Sequence, residues 1–469
     1  TLSPSSAASD VYKRQELVVI IMKTTYLLLC LLGIGSVSGA GQTKQPQKIG
    51  DFIESTSYNE HRRNATRSLQ YTPDGDDFVC INGKNRFTRA LYGSHTAFRL
   101  ETSDRPVFAA YTKKNPKHIC FKLQTSGGTV ALDSTEHCES RYTAGRRSYN
   151  LFHPSFEGGN LSIATLALPD KEGAIWQFNA RNFKGSNPIL LTSISEIRNS
   201  KLNRNGDMGA DPADSFEAPL QPQQLQSCPA QIDGTLYILL ENQELRTLTT
   251  AEGETLFKKA EAARSETASR IRIETPDPYF NTLGGTLAMA ADGIWDGEVW
   301  LHGAIGWRMP LSGWRAAYTG DVLGWHDRAR THFNAYAASQ VTEVPNTFPH
   351  PAQDSALHLA RSVKKWGTPQ YSNGYICRNP HRNNQMHHYD MNLCYIDELL
   401  WHFKWTGDLD YVRQMWPVIT RHLAWEKLNY DPDNDGLYDA YACIWASDAL
   451  YYNSGGVTHS SAYNYRANK

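Results

Sequence analysis

Strong charge of either sign is missing from this sequence. Its 47 Lys and Arg stand against 48 Asp and Glu, a formal charge of −1, so neither a nucleic-acid backbone nor an anionic membrane surface is an expected partner. Long apolar runs are missing as well. The run from Tyr26 to Ile34 falls well short of the roughly 18 residues a membrane helix needs, so no integral span is expected. Cysteine is sparse and badly spaced for metal: the eight residues, at 30, 80, 120, 138, 228, 377, 394 and 443, form no CxxC pair and no His/Cys pattern of a structural zinc site. No metal or cofactor is expected. Cys120 and Cys138 are candidates for pairing in an oxidising compartment, against the blander reading of free, buried thiols. What the chain has in quantity is aromatic: 12 Trp and 24 Tyr, crowded into the C-terminal half. Such rings stack on sugars and on protein cores alike, and the core is the default for any one of them.

At 469 residues two or more domains are expected. Residues 1–21 resemble translated adapter read-through and are set aside as a translation artefact. Met22 to about Ala40 has the form of a signal peptide, with Lys23 as the charged region, a short apolar core and Ser38-Gly39-Ala40 for cleavage. Leu29 before Cys30 is too large for lipoprotein processing, so a periplasmic or secreted location is expected. Residues 41–68 read as a polar tether. Residues 69–248 carry nine short β-type runs, from FVCING to TLYILLE, separated by Gly, Asn, Asp and Pro turns. They predict a large antiparallel β-sandwich without chemistry of its own. Residues 249–275 switch to helical spacing at Leu256, Ala260 and Ala263 and read as an exposed linker helix.

From 276 to 469 the texture is helical and aromatic. Helices are predicted over 279–291, 323–340, 354–366, 387–405 and 409–429, with another beginning near 457. In the fourth, Leu393, Ile396, Leu399, Leu400 and Phe403 form one apolar face. Gly407 ends it and Asp408 caps the next helix, whose facing stripe is Val412, Met415, Trp416, Ile419 and Leu423, with Pro417 as a break or restart.

Three stretches carry a resemblance. The hairpin IDELLWHFKWTGDLDYVRQMWPVI (396–419), the turn DPDNDGLYD (431–439) and the segment WASDALYYNSGGVTHSSAYNYRA (445–467) resemble the six-hairpin glycosidases. Residues 292–329 are most similar to an uncharacterised Bacteroidetes group of that superfamily that carries an N-terminal β-sandwich. The resemblance implies a multidomain β + α architecture: antiparallel β-sandwich, linker helix, then an (α/α)6 toroid. It also implies a glycoside hydrolase that cleaves oligo- or polysaccharides with a pair of carboxylates. The position matching the acid-bearing loop is Asp448. A closed ring needs twelve helices and six are visible, so the toroid is expected to be incomplete within this C-terminally truncated fragment. The fragment alone is then expected to be insoluble or inactive, with the second carboxylate beyond Lys469.

Within the chain, Asp448 is the candidate acid, flanked by Trp445 and Tyr451, whose rings would desolvate it; the alternative is a cap shared with Ser447. Candidates for its partner are Asp296 and Glu298, acids set between Trp295 and Trp300. The alternative for them is bonding to Arg308 or Arg315. Trp295, Trp300, Trp307, Arg308, Trp445 and His388 are candidate substrate contacts. Adjacent His387 and His388 point to different faces of a helix, which argues against a metal site. Asp431, Asp433, Asp435 and Asp439 match part of a calcium loop, but Ala442 stands where a bidentate Glu is required, and an Asx-rich turn is the simpler reading. Two rivals to hydrolysis stand. One is a toroid polysaccharide lyase using Asn383, Asn384, His387, His388 and Tyr389, against which the order of sheets before helices argues. The other is a non-catalytic glycan-binding protein.

Overall fold

The computed structural model describes residues 70–469 apart from 94, 112–115, 170, 186, 199–215, 220–223, 243, 304–307, 343–346, 350–368, 372, 384–389 and 440–455. The signal peptide, the tether and the helix predicted over 354–366 lie outside those residues.

The first half of this region is built of strands: β1 Thr72–Asp74, β2 Asp77–Ile81, β3 Arg89–Tyr92, β4 Arg99–Thr102, β5 Val107–Tyr111, β6 Lys117–Thr125, β7 Gly128–Ala131 and β8 His137–Thr143. They continue with β9 Arg146–Phe152, β10 Asn160–Ala167, β11 Gly173–Arg181, β12 Ile189–Glu196, β13 Gln224–Gln231, β14 Thr235–Glu241 and β15 Glu244–Leu248. One sheet has eight strands in the order β1-β2-β8-β9-β10-β11-β14-β15; the other has seven, β13-β12-β6-β5-β4-β3 with β7 on β6. Neighbouring strands pair antiparallel, as in β10–β11, where Asn160 to Ala167 run against Arg181 to Ala174. Phe108 and Phe121 of one sheet meet Trp176 of the other at ring separations of 5.5 and 5.8 Å, edge to face, so the core lies between the sheets.

Strands β8 and β9 escape the sequence pattern for a physical reason. Their inward residues include Ser140 and Arg147 among Cys138, Tyr142, Tyr149 and Leu151, so the apolar alternation is broken. Arg147 is nonetheless at home. It meets Asp104 at 3.3 Å, and it donates to the Ser103 carbonyl at 2.9 Å and to Ser140 Oγ at 3.2 Å.

Helix α1, Thr250–Ala268, begins with a capping box in which Thr249 and Glu252 satisfy each other's backbone. It is not the free linker that its charges imply. Leu256, Phe257 and Ala260 pack on Leu166, Leu239 and Tyr237 of the eight-stranded sheet. Gly253 permits the approach: a Cβ there would stand 2.2 Å from the Tyr237 ring.

The remaining helices are α2 Pro278–Asn281, α3 Leu283–Gly293, α4 Tyr318–Val322, α5 His326–Ala337, α6 Asp390–Thr406, α7 Leu409–Tyr430 and α8 Thr458–Asn468. The α6–α7 corner follows the sequence reading: Gly407 has φ +64° and Asp408 accepts from the Tyr411 amide. Two details differ. Helix α7 runs unbroken through Pro417. Trp416, assigned to its apolar stripe, is 57% exposed, while Met415 and Ile419 are buried. Pro417 shares the exposed flank with Trp416, so its missing donor faces solvent rather than the packed side.

Candidate functional site

After α3 the chain makes a tight loop from Trp295 to Trp300, closed by a β-bridge between those two residues. Asp296 accepts from the amides of Glu298 at 3.0 Å and Val299 at 2.7 Å, and Gly297 turns the corner at φ +100°. The two indoles sit 4.7 Å apart, tilted at 57°, and are 3% and 1% exposed. Trp300 is anchored further by donating its amide to Nδ1 of His332 in α5 at 3.2 Å. Burial pulls His332 down to about 3, so it is neutral and can accept that bond.

Trp295 and Trp300, expected to line a sugar site, therefore hold the loop from beneath and show no open face. The loop presents its acids outward. Glu298 is half exposed and meets Nε2 of His381 at 2.5 Å, not Arg308 or Arg315. His381 itself sits at φ +58°, an uncommon place for a residue with a Cβ, and its amide is tied to the carbonyl of Ala335 in α5. Arg308 reaches the Gly293 carbonyl at 3.1 Å, and Arg378 points its guanidinium at the sulfur of Met309.

Asp296, Glu298 and Arg378 act through space on Tyr336 of α5. Its ring is wholly buried and its hydroxyl has no hydrogen-bond partner among the described residues. Burial raises the phenol well above its ordinary range. Asp296, Glu398 and Glu298 push it further up, and Arg378 opposes them. Glu398, on α6, is itself 2% exposed. Burial drives its carboxyl well above the usual range; the amides of Ala317 and Tyr318 and the charge of Arg315 work against that. Neither oxygen achieves a hydrogen bond of good geometry. Beside it Asp397 is fully engaged, by the Tyr318 hydroxyl at 2.5 Å and Arg466 of α8 at 2.5 Å.

Of the residues singled out from sequence, Asp296 and Glu298 share one loop, and Asp296 acts through space on Arg308. Asp448, Trp445, Trp307, His387, His388, Asn384 and Tyr389 lie outside the described residues. Tyr336, Arg378, His381 and Glu398 were missed. Glu398 had a signal: with Asp397 it puts two adjacent acids into the apolar run IDELL, a costly arrangement without purpose. The acidic turn behaves as an Asx-rich turn, since Asp431 accepts from Gly436 at 3.3 Å and Asp435 from Leu437 at 2.7 Å. Carboxylate oxygens of Asp431, Asp433 and Asp435 do come within 4.8 Å of one another. Cys120 and Cys138 are free and lie in opposite sheets, Cys120 against Ser193 Oγ at 2.9 Å. Among the described residues no helix is long and apolar enough to cross a membrane.

A family model described as a domain of unknown function (DUF4450) matches residues 116–270. That span runs from β6 through the later strands of the paired sheets into α1 and stops short of Asp296, Glu298 and Tyr336. No curated protein matches the chain.

Proposed function

We propose that this chain carries catalytic residues of a periplasmic or secreted glycoside hydrolase of the six-hairpin class, with helices α3 to α8 forming part of an (α/α)6 toroid. The observation that carries this reading is the loop from Trp295 to Trp300, which is braced by two buried indoles and presents Asp296 and Glu298 outward with His381 against Glu298. Glycoside hydrolysis needs one carboxyl group to protonate the leaving oxygen and a second to act as base or nucleophile. Glu298 suits the second role. It is presented on a loop braced by two buried indoles, and the His381 ring holds its carboxylate in one orientation. Asp448 is the acid of this proposal. Asp296 sets the loop through its two amide bonds.

The test is release of reducing ends from a panel of aryl glycosides and plant or host oligosaccharides by the expressed protein and its Glu298→Gln variant. Turnover that falls by roughly 100-fold or more in the folded variant supports the assignment. An unsaturated uronate product, seen by its ultraviolet absorbance, would replace it with a lyase. Turnover indifferent to the substitution would remove Glu298 from the mechanism.

A further inference from the structure

We infer, independently of the hydrolase reading, that His422, Glu426 and Asn464 hold a divalent cation of the zinc type between α7 and α8. It would be a structural site, apart from the Trp295–Trp300 loop.

His422 and Glu426 stand four residues apart in α7, a spacing that lays both side chains on one face of the helix. That face is turned inward: His422 is 1% exposed and Glu426 0%. Nε2 of His422 stands 3.9 Å from Oε1 of Glu426, beyond hydrogen-bond range. From α8, Asn464 brings its amide to the other carboxylate oxygen, with Nδ2 3.4 Å from Oε2. Asn464 is itself 1% exposed. Imidazole, carboxylate and amide are therefore neighbours by direct approach, and all three are closed off from solvent.

Each of the three keeps a polar atom unused. Oε1 of Glu426, Nδ1 of His422 and Oδ1 of Asn464 are buried and have no hydrogen bond among the described residues. Buried polar groups in native proteins are nearly always satisfied, and an unmet set calls for a water or an ion. A carboxylate in particular is costly to bury without a counter-charge. A cation between Nε2 and Oε1 supplies that charge. Bound at roughly 2.1 Å from each atom in tetrahedral geometry, it would hold them about 3.4 Å apart, so the gap has to close by about half an ångström. A half-turn of the Asn464 amide exchanges its nitrogen for its oxygen. That turn gives up the bond from Nδ2 to the Ser460 carbonyl at 3.1 Å and offers Oδ1 as a third ligand. One imidazole nitrogen with two oxygens suits zinc or cobalt better than calcium, which takes six or more oxygens.

The experiment titrates the full chain, stripped with a chelator, with Co²⁺, whose visible absorbance reports coordination, and then with Zn²⁺ in competition. Melting temperature is read with and without Zn²⁺. The variants are Glu426→Gln, Asn464→Asp and Asp433→Asn, the last to separate this site from the acidic turn at Asp431, Asp433 and Asp435. The expected result is uptake of Co²⁺, its displacement by Zn²⁺ and a higher melting temperature with Zn²⁺ bound. Affinity should fall about 100-fold or more in Glu426→Gln and stay unchanged in Asp433→Asn. Asn464→Asp, which trades the amide for a carboxylate, should bind about tenfold more tightly, and it decides the matter if Glu426→Gln does not fold. A folded wild type that takes up no Co²⁺ and melts alike in Zn²⁺ and chelator would overturn the inference and leave buried water in the gap. So would binding untouched by both Glu426→Gln and Asn464→Asp, or binding lost only in Asp433→Asn.

Discussion

Asp104 in the paired sheets and Glu398 in the helices are both buried carboxyl groups, and they are held in opposite ways. Asp104 receives the Tyr71 hydroxyl at 2.7 Å, the Asn85 amide at 2.9 Å and the Arg147 guanidinium at 3.3 Å. Its charge is met on every side, and its role is to pin β-strands and loops together. Glu398 has no such set: its oxygens lack well-formed bonds, and burial favours the protonated acid. Glu426 repeats the pattern, with one oxygen 3.4 Å from Asn464 and the other without a hydrogen bond among the described residues. A region built only for stability does not leave acids in this state. Asp104 is spent on the fold of the sheets, whereas Glu398 and Glu426 in the helices keep oxygens without a hydrogen bond.

That contrast can be broken by substitution. The largest effect should come from Asp104→Ala, which strands Arg147 in the core and should cost about 3–5 kcal/mol in chemical denaturation. The next concerns acid. His332 and His422 are buried and pulled down to about 3, below the roughly 6.5 of an unfolded histidine. Their folded-state pKa is depressed, so the stability they contribute is present at neutral pH. It is lost as pH falls from about 6.5 towards 3, by up to about 1.4 kcal/mol per pH unit for each ring. His422→Phe should flatten that acid limb in melts recorded between those limits.

Glu398 has the reverse sign. Its carboxyl is raised on folding, so its contribution is complete below about 4.3 and fades as pH climbs through the raised value. Glu398→Gln should therefore be close to neutral in acid and increasingly stabilising towards alkaline pH. A Gln variant less stable than wild type at every pH would show that Glu398 is bound as firmly as Asp104. The smallest effect belongs to Glu254→Gln on the solvent side of α1, whose partner Lys258 lies one turn on in open water. No measurable change in melting temperature is expected.

Much of the fold was legible in the sequence because it rests on short-range signals. The α6–α7 corner is written in Gly407 and Asp408, and nine of the strands are written in apolar runs between turns. Six strands were missed, and of these β8 and β9 hide behind Arg147 and Ser140, polar residues of which Arg147 finds partners beyond its own strand. No local pattern could announce those partners. The site was half legible for the same reason. Asp296 and Glu298 stand out between two tryptophans, but Tyr336, Arg378 and His381 have ordinary surroundings in sequence and become notable only when α5 and its following loops converge. The indoles beside the acids were read for the wrong task, since stacking on a sugar and bracing a loop call for the same residue type.

The central claim is that carboxylates are held for chemistry among the helices and for architecture between the sheets. Asp104→Asn and Glu298→Gln, measured side by side for glycan hydrolysis per folded molecule and for melting temperature, test it most directly. The account predicts that Glu298→Gln keeps its melting temperature and loses turnover, while Asp104→Asn melts early and turns over normally while folded. Normal turnover by Glu298→Gln would contradict it.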